Sequence, residues 1–324
     1  NLLYVWWVEW PCLLNTYTDD YAKKVFIPQC KELAAYGNDQ FEMWFDGASG
    51  SDHEGYYGGA YGEGKTGSRT IDNANRYYDI PNLRDKIHSM CPNIILWGVG
   101  GEARWIGNES GWAGETCWSM GDGTDGDENA WKWFPGESDA KATTKGWFWH
   151  QGETCKSADE MFKIYLETVG RNATLILNFP PDQRGLLPDV DVENLKKLGE
   201  MLTERLGTDL AQQSGVTIEA STTRANGATK TYDAKNMIDT YWAAPDGTTS
   251  DITITVTLPE AKPIHYVMMQ EYIQLGQRIK GFTIETSNDG KNWTKKGGNI
   301  KTTTVGYKRI IPLNKLDKER VCNV

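Results

Sequence analysis

Phe41-Glu-Met-Trp-Phe-Asp-Gly47 is the stretch that decides the fold. Phe41, Met43, Trp44 and Phe45 make an apolar run short enough for a buried strand. Asp46 ends it, and Gly47 opens a run with glycine at 47, 50, 55, 58, 59, 62, 64 and 67. In a β/α barrel, residues at the C-terminal ends of strands line the active site. A carboxylate in that place, walled by tryptophan, suits attack on the anomeric carbon of a sugar. The plainer reading is a turn carboxylate before glycine.

A second carboxylate, Glu109, lies in Arg104-Trp-Ile-Gly-Asn-Glu-Ser-Gly111. Trp105 and Trp112 flank it, and apolar walls favour the protonated form that an acid must hold. Retaining glycosidases use two carboxyl groups about 5–5.5 Å apart, one as nucleophile and one as acid and then base. Asp46 at a strand end suits the nucleophile, and Glu109 the acid/base. Glu102, Glu115 and Asp52 are rivals that spacing does not exclude.

Working outward, residues 2–10 read as a strand and residues 19–36 as a helix with Pro28 as a flaw in it. The spacing predicts a helix over 79–91 and a strand over 93–98. A long loop follows over 99–145, then a short aromatic strand over 146–150. A helix over 156–169 opens on Ser157 with Glu160 three residues on, the pattern of a capping box. Thr174–Phe179 reads as a strand stopped by Pro180-Pro181, and 188–206 as the last helix. Alternating strands and helices of this kind make a parallel α/β layer. Five strands and three or four helices fall about three βα units short of a barrel of eight. The N-terminal strands are the missing ones, so the chain reads as part of a longer protein.

Near residue 210 the pattern changes. Ile252–Leu258, Tyr266–Met269, Gly281–Thr286 and Tyr307–Pro312 are β-rich runs, and Asn288-Asp-Gly-Lys-Asn-Trp293 is a turn between strands. The expectation is two domains: a partial (β/α)8-type barrel over 1–210 and a β-sandwich over 217–324.

Net charge of −10 and a pI near 5.0 argue against nucleic acid and anionic membrane surfaces. No apolar run is long enough to span a bilayer. The six cysteines show no C-x-x-C spacing, which argues against a zinc or redox motif. Twelve of the 14 tryptophans fall in residues 1–149, where flat rings could cover the apolar faces of a pyranose or simply fill cores. Glycosylation-type triplets begin at Asn108, Asn172 and Asn292, a pattern short enough to arise by chance.

Six blocks in order resemble the α-L-fucosidases of glycoside hydrolase family 29, in the subgroup preferring α-1,3/1,4-linked fucose. They are Glu42–Ala48, Tyr56–Ala60, Arg104–Gly111, Gly114–Ser119, Gly146–His150, and Val169–Asn172 through Leu177–Asp182. The resemblance implies a retaining exo-hydrolase with Asp46 as nucleophile and Glu109 as acid/base. It places Trp44, Arg104, Trp105 and Trp149 beside the sugar. It implies no cofactor or metal, a fucosylated oligosaccharide or glycoconjugate as substrate, and an extracytoplasmic location. Ala234–Asp239 with Tyr241–Ala243, and Ile284–Trp293, resemble discoidin-type, galactose-binding-like modules. Such modules bind sugar or calcium, or only brace a catalytic domain; bracing is the expectation. The rival readings are an inert carbohydrate-binding protein and a glycosidase for another sugar.

Overall fold

The run 41–47 forms the centre of a three-stranded parallel sheet. Strand β2 (Glu42–Asp46) lies between β1 (Leu2–Trp6) and β3 (Ile95–Trp97), with Asp46 opposite Trp6 and Trp44 opposite Trp97. The computed structural model describes residues 2–6, 22–37, 40–46, 76, 78–98, 101–224, 240–249, 252–297, 300 and 304–313. The expectations for the loop 47–75, with Asp52 and Tyr56–Ala60, and for Ala234–Asp239 lie outside these residues. The chain divides into two units: 1–106 with 120–137, and 107–119 with 138–324.

In the first unit, successive residues of β2 face opposite ways. Met43 and Phe45 enter an apolar core with Phe26, Tyr78, Leu83, Ile87 and Leu96. The Phe26 ring meets Tyr78 at 4.7 Å and Phe45 at 5.9 Å between centroids. Helices α1 (Ile27–Ala34) and α2 (Ile80–Met90) supply much of that core, and each carries a proline in its first turn. A first-turn proline has no intrahelical N–H to lose. Pro28 is therefore no flaw: a π-turn over Ala22–Phe26 precedes it, and the α-helix starts at Ile27.

The other face of β2 is polar and equally buried. Glu42 and Trp44 are covered, and Trp44 stacks on Trp97 with centroids 3.8 Å apart and planes within 9°. The Trp44 indole N–H donates to Glu137 Oε1 at 2.9 Å. Glu42 and Glu137 hydrogen-bond carboxyl to carboxyl, each 3% exposed. Two adjacent carboxyl groups out of water need a proton between them.

Glu137 belongs to a strand that the sequence reading placed inside a long loop. Strand β5 (Gly136–Lys141) pairs in parallel with β4 (Arg104–Trp105), matching Arg104 to Gly136 and Trp105 to Glu137. Its sequence, Gly-Glu-Ser-Asp-Ala-Lys, has no apolar period to give it away. The strand expected over 146–150 is instead an irregular segment.

In the second unit, the remainder of β5 lies beside β6 (Thr174–Asn178). Helices α3 (Ala158–Thr168) and α4 (Asp189–Leu206) pack on each other through Met161, Phe162, Leu166 and Leu198. The β-rich region forms antiparallel pairs: β7 (Thr217–Ala220) with β8 (Ile254–Thr257), β9 (Tyr266–Met269) with β12 (Arg309–Pro312), and β10 (Ile284–Thr286) with β11 (Thr294–Lys296). Asp289 closes the last pair by accepting the backbone N–H groups of Lys291 and Asn292. Ile310 of β12 joins the α3–α4 core, so the β-rich strands and the helices share packing. Among the described residues no helix is long and apolar enough to cross a membrane.

Ser157 caps α3 in a full capping box with Glu160. Ser157→Ala should lower stability by about 1 kcal/mol, read as a shift in the urea midpoint at constant slope; an unchanged midpoint would show the cap contributes nothing. A second expectation concerns pH. Burial raises the Glu42 pKa above its ordinary value, opposed by the bond to Glu137. The folded state therefore holds a proton that the unfolded chain releases. That contribution is full below the ordinary glutamate range and fades as pH rises through the raised value. Glu42→Gln should flatten this part of the pH–stability curve, and two parallel curves for parent and variant would refute it.

Candidate active site

Glu109 sits on a loop whose shape is set by its neighbours. Asn108 Oδ1 accepts from the Ser110 N–H at 3.1 Å, the Ser110 hydroxyl at 2.7 Å and the Trp112 N–H at 3.4 Å, while its Nδ2 donates to Trp112 O at 2.8 Å. One carboxamide thus closes the turn around Glu109. Gly111 then adopts φ +67°, and a Cβ there would come within 2.5 Å of Ile164 and 3.0 Å of Ala140. Only glycine fits both the conformation and the close approach. The Gly111 carbonyl accepts from the Thr168 hydroxyl, and the Ala113 N–H donates to Glu167 O at 2.9 Å. The loop is therefore seated on α3.

The Glu109 side chain itself is exposed, and its Oε2 accepts the indole N–H of Trp147 at 3.2 Å. Trp147 is in turn held by Asn178 at the end of β6, whose Nδ2 donates to Trp147 O at 2.8 Å. Lys141 Nζ lies 5.7 Å from the Trp147 ring centre. Sequence reasoning assigned no role to Trp147. The signal was its place in Gly146-Trp-Phe-Trp-His150, where attention went to Trp149. Trp149 is half-buried in the same segment. The flanking Trp112 is half-exposed and lies under the Arg171 guanidinium, 5.9 Å from its ring centre.

Asp46 is the last residue of β2, in the first unit; Glu109 is in the second. Around β2, Trp44 is buried and tethered as described. Arg104 is buried too. Its Nε donates to Gly123 O at 2.8 Å and its Nη1 to Phe134 O, so it pins the 120–134 loop. Trp105, next in β4, is 44% exposed.

One rival, Glu102, has other work. Glu102 bonds His88 Nε2 at 2.8 Å and the Leu96 N–H at 3.1 Å, so both carboxylate oxygens are used internally. Glu115 is exposed, and its backbone carbonyl accepts from Arg309. The glycosylation-type asparagines are also occupied. Asn172 is buried with its carboxamide bonded, and Asn292 donates to Asp289. Among the described cysteines, Cys30, Cys91, Cys117 and Cys155 are buried thiols, and burial pushes the Cys30 pKa up to about 12. A thiol so placed is inert packing rather than a nucleophile.

The family model for alpha-L-fucosidase matches residues 6–205, and that for the F5/8 type C domain matches residues 217–318. Alpha-L-fucosidase 1 of Arabidopsis thaliana is 28% identical over 305 residues, covering 88% of this chain and 55% of its own length. The chain spans about half the length of the curated relatives it matches. Among solved structures, a Ruminococcus gnavus GH29 fucosidase in complex with fucose superposes with a TM-score of 0.74 at 28% identity, over 96% of this chain and 66% of that one. A glycoside hydrolase 29 family member from an unknown rumen bacterium gives 0.73 at 28% identity, over 96% and 52%. With the family model covering well over half of its residues, this chain belongs to the alpha-L-fucosidase family and carries an F5/8 type C domain behind the matched region.

Proposed function

We propose that this chain carries part of the catalytic barrel, and a β-sandwich, of a retaining exo-α-L-fucosidase acting on terminal α-1,3- or α-1,4-linked fucose of oligosaccharides or glycoconjugates. The reading takes residues 1–210 as part of a (β/α)8 barrel and 217–324 as a β-sandwich. The observation that carries it is the Glu109 loop. An exposed carboxylate stands on a turn fixed by Asn108 and Gly111, with a tryptophan N–H on one oxygen. That is a rigidly aimed group left open for an incoming ligand.

In this mechanism Asp46 attacks the anomeric carbon while Glu109 delivers a proton to the departing glycosidic oxygen. The fucosyl group is then an ester of Asp46. Glu109, now ionised, takes a proton from water, whose oxygen displaces Asp46, so two inversions give net retention. The Trp147 indole N–H steadies Glu109 when it is charged. The reading keeps Trp105 and Trp149 as the aromatic residues beside the sugar. Trp44 and Arg104 act from beneath, by holding β2 and the 120–134 loop. The reading needs no cofactor, and a glycan substrate suits an extracytoplasmic place.

The test is release of 4-nitrophenol from its α-L-fucoside by chain 1–324. The parent should turn over and Asp46→Ala should fall to background. Glu109→Ala should lose roughly 10²–10⁴-fold on substrates with poor leaving groups. Transfer to methanol should give the α-fucoside. Full turnover by Asp46→Ala, β-fucoside formation, or a folded parent with no turnover would each overturn the proposal for this chain.

A further inference from the structure

The segment after Glu109 is gripped by residues far away in the chain. At alternate positions its backbone groups are taken one by one. Ala113 O accepts from Arg171 Nη1 at 2.8 Å, and Glu115 O from Arg309 Nη1 at 2.8 Å. Cys117 O accepts from Asn172 Nδ2 at 2.8 Å, with Gln277 Nε2 further off at 3.4 Å. The Ser119 N–H donates to Gln277 Oε1 at 2.9 Å. An extended strand would offer these groups to a sheet neighbour; here side chains replace the neighbour. Gln277 and Arg309 come from the F5/8 type C region, 158 and 194 residues along the chain from the groups they hold.

These side chains are themselves fixed. Gln277 Nε2 also donates to the Thr304 hydroxyl. Arg309 is 4% exposed, stands in β12 and bridges to Arg171 through the backbone. Its Nε has no hydrogen-bond partner, and burial beside Arg171 pulls its pKa down to about 10. A buried guanidinium next to another cation is costly. Apolar packing would brace two domains with less penalty. What the arginine adds is a directed bond to one carbonyl, six residues from Glu109.

We propose that Gln277 and Arg309 are positioning residues for Glu109, so that the F5/8 type C region serves the reaction by holding the acid/base segment in register. The proposal rests on the reading of Glu109 as acid/base, and its two tests separate the failures. The first is hydrogen–deuterium exchange on the full chain, with Gln277→Ala and, as a gentler change, Arg309→Lys. The amides of 113–119 should exchange at least about tenfold faster, with α4 unchanged. Unchanged exchange in that segment, or equal loss across the whole unit, would overturn the proposal. This readout does not depend on turnover.

The second test compares phenyl and 2,4-dinitrophenyl α-L-fucosides. A displaced acid is missed only when the leaving group needs a proton. Gln277→Ala should therefore lower kcat/KM, which reports the first displacement alone, roughly 10- to 100-fold on the phenyl substrate and by less than about threefold on the dinitrophenyl one. Equal loss on both would show a merely structural role and overturn the proposal. Glu109→Ala serves as reference. If it too lacks leaving-group dependence, the reading of Glu109 has failed, while exchange still decides whether the clamp holds the segment.

Discussion

One carboxamide, that of Asn172, joins three stretches of chain on which the second unit depends. Its Nδ2 donates to Cys117 O and to the Ser119 hydroxyl, and its Oδ1 accepts the Tyr307 N–H at 2.7 Å. Its own backbone N–H donates to Lys308 O at 2.9 Å. To make these bonds it takes a left-handed φ of +65°, uncommon for any residue but glycine and asparagine. Gly306 makes room for it: a Cβ there would come within 2.4 Å of the carboxamide atoms. Buried and nearly saturated, such a group is stabilising only while every partner stays in place. The turn after α3, the segment after Glu109 and the 304–308 turn are thus fixed together or not at all.

The first unit has the matching constraint on the polar face of β2. Glu42, Glu137 and Trp44 are out of water and bonded to one another, and the Trp97 ring closes over Trp44. Trp97 Nε1 is buried without a hydrogen-bond partner. The sheet thereby carries a polar interior on one face and the Phe26–Phe45–Tyr78 cluster on the other. Strand position is set by both, because a slip of one residue would drive the carboxyl pair into the apolar core. Asp46, as the last residue of the same strand, inherits that register.

Much of this was legible in the residues. The apolar spacing of Ile80, Leu83 and Ile87 located α2, the Ser157–Glu160 pair located the start of α3, and the Asn288–Trp293 turn falls between β10 and β11 as expected. Strand β5 was not legible. Its buried residues include Glu137 and Ser138, and burial that is satisfied by hydrogen bonds leaves no hydrophobic pattern. The partners of Glu137 lie 93 residues away at Trp44 and farther still at Glu42, a relation no local window contains. Trp147 was passed over for the same reason. Its contact with Glu109 spans 38 residues and depends on Asn178 holding the backbone between. Trp112, the sequence neighbour expected to flank Glu109, also carries the Arg171 guanidinium over its ring.

A pattern joins these cases. Around Glu109 the bonds that fix geometry are made mostly by backbone groups: the Ser110 and Trp112 amides, the Gly111, Ala113, Glu115 and Cys117 carbonyls. The side chains that receive or donate those bonds are Asn108, Thr168, Arg171, Asn172 and Arg309, none of which carries chemistry of its own in the proposed reaction. Fixing the main chain on all sides leaves the carboxylate to face outward with one tryptophan N–H as its neighbour. A carboxylate aimed by its own hydrogen bonds would have to break them to transfer a proton; one aimed by its backbone does not. The cost of order is met in the fold before any ligand arrives, and it is met partly by residues from the F5/8 type C region that a local reading of Arg104–Gly111 could not connect to the site.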